Sequence, residues 1–333
     1  MDSSGCAVFP MNDGFYRAFE ERYRGSRELI KARLAVYLQF VEPLLNAYPA
    51  AAALDLGCGR GEWVELLVET GFAPMGIDTD MGMLDCCLKL ALPVEHGDAL
   101  GYLCALPDES QAVISAIHLV EHITFDQLRM LVGEALRVLK PGGLLIMETP
   151  NPENILVATR NFYLDPTHQR PIPSMLLAFV AEYAGFIRVK TLRLQESKDI
   201  VNRSDVSLQD VINGASPDYS VIAQKSASEN ILALTSNPFG LIYGLSLEDL
   251  MGRWDSRFEG FAIKAQQAEA IAQQAEAMAQ QAETTAQQAL ALAENAAAKV
   301  ECRNSFPIAI HNSMLGRIVM RVRWLIEYMR GSR

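Results

Sequence analysis

The stretch Leu54-Asp55-Leu56-Gly57-Cys58-Gly59-Arg60-Gly61 decides the fold. An apolar run over residues 51–56 leads into it, and a helical pattern over 62–69 leaves it. A strand that ends in a glycine turn and opens a helix is how doubly wound α/β sheets bring backbone close to a nucleotide-like ligand. Glycine permits the tight turn and removes the side chain that would block the approach. In dinucleotide-binding versions of this turn, a pyrophosphate meets the helix N-terminus. Here Asp55 leads the turn and Glu62 opens the helix, and two acids repel a phosphate dianion. They suit a ligand that carries a cationic amine.

Outward from the turn, short apolar runs alternate with helical segments. The runs cover 74–77, 93–95, 112–117 and 144–148, and residues 186–194 and 219–223 supply two further strands. Such alternation predicts a parallel sheet covered by helices on both faces. Gly76-Ile77-Asp78 closes the second run, and Thr79 follows it. A carboxylate there, about 20 residues past the turn, accepts hydrogen bonds from ribose hydroxyls in many nucleoside sites. Gly97-Asp98-Ala99-Leu100 closes the third run, where an acid can accept from an adenine amino group. Leu139-Lys140-Pro141-Gly142-Gly143 precedes the fifth run.

The four signals in this order resemble class I S-adenosylmethionine-dependent methyltransferases, across roughly residues 50–225. A nicotinamide-dependent oxidoreductase is the main alternative, and Asp55 and the Leu139–Gly143 run do not support it. The resemblance implies a Rossmann-like sheet of seven strands. Its last strand, 219–223, would be antiparallel and lie beside the fifth. It also implies S-adenosylmethionine as cofactor, held by Asp55, Gly57, Cys58, Gly59, Gly61, Asp78, Thr79, Asp98, Ala99, Leu100 and His118. N-terminal helices often cover the cofactor in such enzymes, which makes Arg24 and Ser26 candidates for its carboxylate.

Length and composition agree with an enzyme that has an appendage. The 333 residues favour one ordinary catalytic domain plus something smaller. Half of them are apolar, enough for a substantial core. A net charge of −11 argues against broad nucleic-acid binding. The six cysteines form no CxxC pair, which suits free thiols and a cytoplasmic location. No uninterrupted apolar stretch reaches the roughly 18 residues of a membrane span, and the N-terminus does not read as a secretory signal.

The expected organisation is an N-terminal helical cap (1–50, residues 15–48 reading as helical by their periodicity) and a methyltransferase domain (51–225). A linker with one or two short helices (226–255), a coiled coil (256–302) and a basic amphipathic helix (303–333) follow. The coiled coil rests on seven-residue repeats from Ala265. Ala268, Ala275, Ala282 and Ala289 take the first core position, and Ile271, Met278, Thr285 and Leu292 the second. A solvated alanine-rich helix would show the same propensities. In the last segment, Leu315, Ile318, Val319, Val322, Leu325, Ile326 and Met329 form one stripe, with Arg317, Arg321, Arg323 and Arg330 off it. Such a helix can lie on an anionic membrane, dock into a partner, or pack on its own chain.

Methyl transfer to a hydroxyl needs alignment and a group to take the proton. His118 and His122 follow the fourth strand, and His168 lies in Phe162-Tyr163-Leu164-Asp165-Pro166-Thr167-His168-Gln169-Arg170-Pro171-Ile172-Pro173. His168 with Asp165 as its orienter is one candidate base; alternatively it holds its loop together. His122 is another, or else a helix cap, and a carboxylate or no base at all remains open. Arg170, Tyr163 and Asn151 are the candidate acceptor contacts. The ligand spacing along the chain supports no metal site.

The runs at 15–30, 55–63, 148–154, 162–173 and 216–225 are together similar to bacterial methyltransferases of surface-polysaccharide synthesis. The O8-type polymannose O-antigen chain terminators are one such group. That resemblance implies methylation of the non-reducing terminal sugar of a lipid-linked glycan, at a mannose hydroxyl. It further implies homo-oligomerisation through the coiled coil, recruitment of a glycosyltransferase by the tail, and peripheral contact with the inner membrane. The chain departs from the group in having no kinase-like domain and only five heptads. The other classes to weigh are a small-molecule or lipid methyltransferase whose tail only oligomerises, and a cofactor-binding scaffold without turnover.

Overall fold

The computed structural model describes residue 22, residues 25–303 and residues 314–331. They divide into two compact units, one ending at Asp255 and the other beginning at Ser256. Seven strands form one sheet in the first unit: β1 (Ala52–Leu56), β2 (Ala73–Asp78), β3 (Val94–His96), β4 (Gln111–Ile117), β5 (Leu139–Pro150), β6 (Arg188–Leu194) and β7 (Asp218–Gln224). Their order is β3-β2-β1-β4-β5-β7-β6. The first five run parallel, whereas β7 pairs antiparallel with both β5 and β6. The strand order reverses between β1 and β4, where doubly wound sheets leave a crevice beyond the strand ends.

Central strands buried on both faces are mostly apolar, and their side chains alternate between two cores. Leu54 and Leu56 enter one core, with Ile114, Ala116, Leu145 and Met147. Ala53, Ala112, Leu144 and Ile146 enter the other. Helices cover each core: α1 (Arg27–Leu34) and α2 (Glu62–Thr70) on one side, and α4 (Ala99–Ala105), α5 (Phe125–Val138) and α6 (Ser174–Ala184) on the other. The helix between β2 and β3 is α3 (Met81–Lys89).

The segment read as helical over 15–48 is helical in pieces in its described part. After α1 the chain passes through 3-10 turns at Ala35–Tyr37 and Glu42–Asn46, the latter opened by Pro43. Tyr37, Phe40 and Leu44 are all fully buried, so packing on β5 and α2, rather than helical continuity, sets this path. The residues expected to form a linker pack on the sheet. Arg188 donates to the carbonyl of Leu232, and Gln224 donates to Thr235. β5 begins earlier than expected because Leu139 already pairs with Gln111 of β4.

A helix, α7, spans Leu247–Arg303, and α8 spans Met314–Gly331. Ile271, Met278 and Leu292, the larger heptad residues, are exposed on the single chain. In α8, Trp324 stacks on Tyr328 at 5.4 Å. No helix among the described residues is long and apolar enough to cross a membrane.

Candidate active site

The ends of β1 to β4 surround one cavity of about 420 Å³, within the usual range for a small-ligand site. Gly57 and Gly59 line it after β1, Asp78, Thr79 and Asp80 after β2, and Gly97 to Leu100 after β3. His118 and Leu119 line it after β4, joined by His122, Ile123, Gln127 and Thr167.

The glycine turn is fastened to the end of β2. Amides of Gly57 and Cys58 both donate to the carbonyl of Ile77, at 2.8 and 3.1 Å. The Gly59 amide donates to Asp78 Oδ2 at 2.8 Å, and the Asp80 amide to Oδ1, also at 2.8 Å. One backbone donor per oxygen fixes the carboxylate, and each oxygen keeps acceptor capacity for a diol. Gly57 has φ +71°, and an added Cβ would stand 3.2 Å from Leu119 Cδ1 on the far wall. Asp98 caps α4 through Oδ2, which accepts from Gly101 at 2.6 Å.

Several expected cofactor residues do not line this cavity. Asp55 faces Ser115 across the β1–β4 ladder and accepts its hydroxyl at 2.7 Å, buried in the sheet. Glu62 is also buried and pairs with Arg60 at 2.8 Å. Neither acid lines the cavity. The Cys58 side chain packs with Val64, Leu84 and Cys87 instead of facing the ligand. Gly61 serves packing: a Cβ there would meet Cys87 Sγ at 2.7 Å. Arg24 lies outside the described residues. Ser26 caps α1, accepting from Leu29, and next to it Arg27 donates to the carbonyls of Arg60 and Gly61 and to Glu65.

His118 sits at φ +53°, an uncommon conformation for a residue with a side chain. Its amide donates to the Glu148 carbonyl at 2.9 Å, which holds that turn. Nδ1 lies 3.1 Å from Glu121 and Nε2 3.5 Å from Glu148. Burial disfavours its charge, but the two carboxylates outweigh burial and hold its pKa well above the usual histidine value. Glu148 also accepts from Tyr37, whose phenol burial and this carboxylate push up. Burial, followed by Glu148 among other causes, raises nearby Asp218 to about 6.

The acceptor end differs from the arrangement centred on His168. His168 is absent from the cavity wall, and its Nδ1 is 2.6 Å from the Phe162 carbonyl, to which it can only donate. Asp165 is 3.9 Å from His168 Nε2, too long for a hydrogen bond. Asp165 instead accepts from the Thr167 hydroxyl at 2.6 Å and its amide at 2.8 Å. With that proton spent on Asp165, the Thr167 oxygen accepts from His122 Nδ1 at 2.8 Å. Of the two candidate bases, His122 rather than His168 therefore stands on the wall, beside His118, with its tautomer set and Nε2 unprotonated. Burial lowers its pKa, and His168 and His118 add to the effect against Glu121 and Asp165.

Expected acceptor contacts are likewise redistributed. Asn151 is fully buried and donates to the Ser216 carbonyl at 2.8 Å, joining the ends of β5 and β7. Arg170 lies over the Phe125 ring at 5.0 Å, and exposed Tyr163 packs edge-on against Phe162. Neither lines the cavity. Thr167, Gln127, Asp80 and Leu119 were not anticipated; only Thr167, inside the polar Asp165–Arg170 run, carried a sequence signal. Chain spacing also predicted no metal ligands, yet folding assembles two groups of three: Glu121, His122 and His168, and His118, Glu148 and Asp218.

Comparison with known proteins defines the class. A methyltransferase-domain family profile matches residues 54–147. A crystal structure of an S-adenosylmethionine-dependent methyltransferase from Archaeoglobus fulgidus is 33% identical with a TM-score of 0.56, and the match covers 63% of this chain and 100% of that one. The chain belongs to the class I S-adenosylmethionine-dependent methyltransferases. A "Probable S-adenosylmethionine-dependent methyltransferase" from Mycolicibacterium smegmatis is 32% identical over 136 residues, 40% of this chain and 51% of that protein. A ubiquinone biosynthesis O-methyltransferase from Bradyrhizobium is 30% identical over 32% of this chain and 43% of its own length. The chain thus spans about half the length, or less, of these two curated relatives.

Proposed function

We propose that this chain methylates a hydroxyl of the terminal sugar on a lipid-linked surface polysaccharide and so ends its elongation. The observation that carries O-methylation is the line Asp165–Thr167–His122 on the wall of the cavity that Asp78 also lines. The residues fit the cofactor of the family. Asp78 offers two anchored oxygens to ribose hydroxyls, and Asp98 with the backbone of Ala99 and Leu100 offers an adenine edge its partners. S-adenosylmethionine, when bound, supplies a methyl group on a sulfonium.

His122 does the remaining chemistry. Thr167 holds Nδ1–H, so Nε2 presents a lone pair. A depressed pKa keeps the ring neutral near pH 7, ready to take the hydroxyl proton as the oxygen attacks the methyl carbon. The glycan assignment is supported by the resemblance of the catalytic runs together with the heptads of α7. In this reading the heptads join copies of the chain, and the tail contacts the glycosyltransferase or the inner membrane. The ubiquinone biosynthesis relatives favour a second reading, a small phenolic acceptor. Incubation with methyl-labelled cofactor and either defined mannosides or a dihydroxyphenol, followed by linkage analysis, separates the two. Label on the phenol alone would replace the glycan reading.

A further inference from the structure

Glu121 presents an unsolved account in its surroundings. The carboxylate is 1% exposed, and while Oε1 meets His118, Oε2 is buried without a hydrogen-bond partner. A buried carboxylate oxygen left unpaired is costly, and native structures resolve such atoms with a donor, a water or an ion. His122 and His168 each bring a ring nitrogen, and one donor atom from each of the three residues lies within 4.8 Å of the others.

Both rings are prepared as ligands. His122 Nδ1 is engaged by Thr167, itself bonded to Asp165, and His168 Nδ1 by the Phe162 carbonyl. Engagement of Nδ1 by an oxygen acceptor leaves Nε2 as the atom each ring has to offer, with tautomer and orientation set. This is the arrangement found behind metal-binding histidines. The two rings are already in contact, with centroids 4.7 Å apart. A tetrahedral ion with bonds of about 2.0–2.2 Å holds its ligands about 3.4 Å apart, so small side-chain rotations close the set.

We infer that Glu121, His122 and His168 form a site for a divalent transition cation of the zinc type, with a fourth position left for a ligand from the cavity. Two imidazoles and a carboxylate favour such an ion over magnesium or calcium, which prefer oxygen. His122 is the one ligand of the three that lines the cavity, so the fourth position is reached from there. With the ion bound, an acceptor hydroxyl coordinated at that position would lose its proton to solvent water, a route alternative to the His122 base of the ion-free enzyme. This last step rests on the function proposed above; the cation site does not.

The test uses the full-length chain stripped with a chelator and titrated with Zn²⁺ by calorimetry, with S-adenosylmethionine titrated in parallel. One equivalent of Zn²⁺ should bind, and Glu121→Gln and His168→Ala should each weaken it at least about tenfold. His168→Ala guards against a folding defect in the more buried Glu121→Gln. Absence of Zn²⁺ binding, or equal affinity in the wild type and both variants, overturns the site. Loss of S-adenosylmethionine binding by the wild type would instead count against the proposed function and leave the zinc result standing.

Discussion

The Gly59 amide donates to Asp78 Oδ2 at 2.8 Å, so the glycine turn after β1 and the acid at the end of β2 are one rigid piece. Asp78→Ala removes the acceptor of two backbone donors, those of Gly59 and Asp80. Calorimetry should show at least about a tenfold loss of S-adenosylmethionine affinity, and denaturation a cost of about 1–3 kcal/mol. Unchanged affinity would remove Asp78 from the cofactor site.

Substitution of His122 by alanine should lower turnover about 10²-fold or more, with cofactor affinity within a few-fold of wild type. Because the pKa of His122 is depressed, the reactive neutral form persists below the ordinary histidine value. The acid limb of the kcat profile should therefore fall below about pH 6.5. An acid limb above that value would point to another group.

Thermal stability should decline as pH rises. His118 has a folded pKa raised above its unfolded value, so its contribution is complete below about pH 6.5 and is lost as pH climbs through the folded value. Asp218, raised from 3.8 to about 6, acts in the same sense over that lower interval. Melting curves between pH 6 and 9 should slope less for His118→Gln than for the wild type. Parallel slopes would mean that the carboxylates do not hold the proton on His118.

The central strands were legible because burial on both faces leaves near-continuous apolar runs, whereas the half-exposed edge strands β3 and β6 showed only as short runs between helical patterns and turns. The cofactor loops were legible because they follow those runs directly. The acceptor end was not, and the reason is geometric. The Gln169 amide donates to the Glu121 carbonyl and its side chain to the His122 carbonyl, each at 2.9 Å, docking a loop 47 residues downstream onto the turn after β4. Only that docking shows Thr167 to be His122's partner and places His168 behind it. Asp55 misled for a related reason: nothing local reveals that Ser115 lies opposite it.

The heptad residues of α7 supply a further expectation. Ile271 and Met278 are exposed on the single chain, and a partner helix would bury both. Sedimentation should report an oligomer for the wild type and a monomer for the pair Ile271→Asp and Met278→Asp, with cofactor affinity retained. A monomeric wild type would leave α7 a solvated helix. If the assembly also measures glycan length, inserting a heptad, about 10 Å of helix, should shift the modal length of the product.

The placement of β7 has a consequence during synthesis. Because β7 inserts between β5 and β6, a nascent chain that has emerged only as far as residue 215 carries two strands with no mutual partner. Asn151 then lacks the Ser216–Pro217 backbone that receives it, and one edge of β5 stays open. The acceptor end of the enzyme cannot be finished before the final strand leaves the ribosome, and until then that bare edge is where a stalled or truncated chain is most prone to self-association.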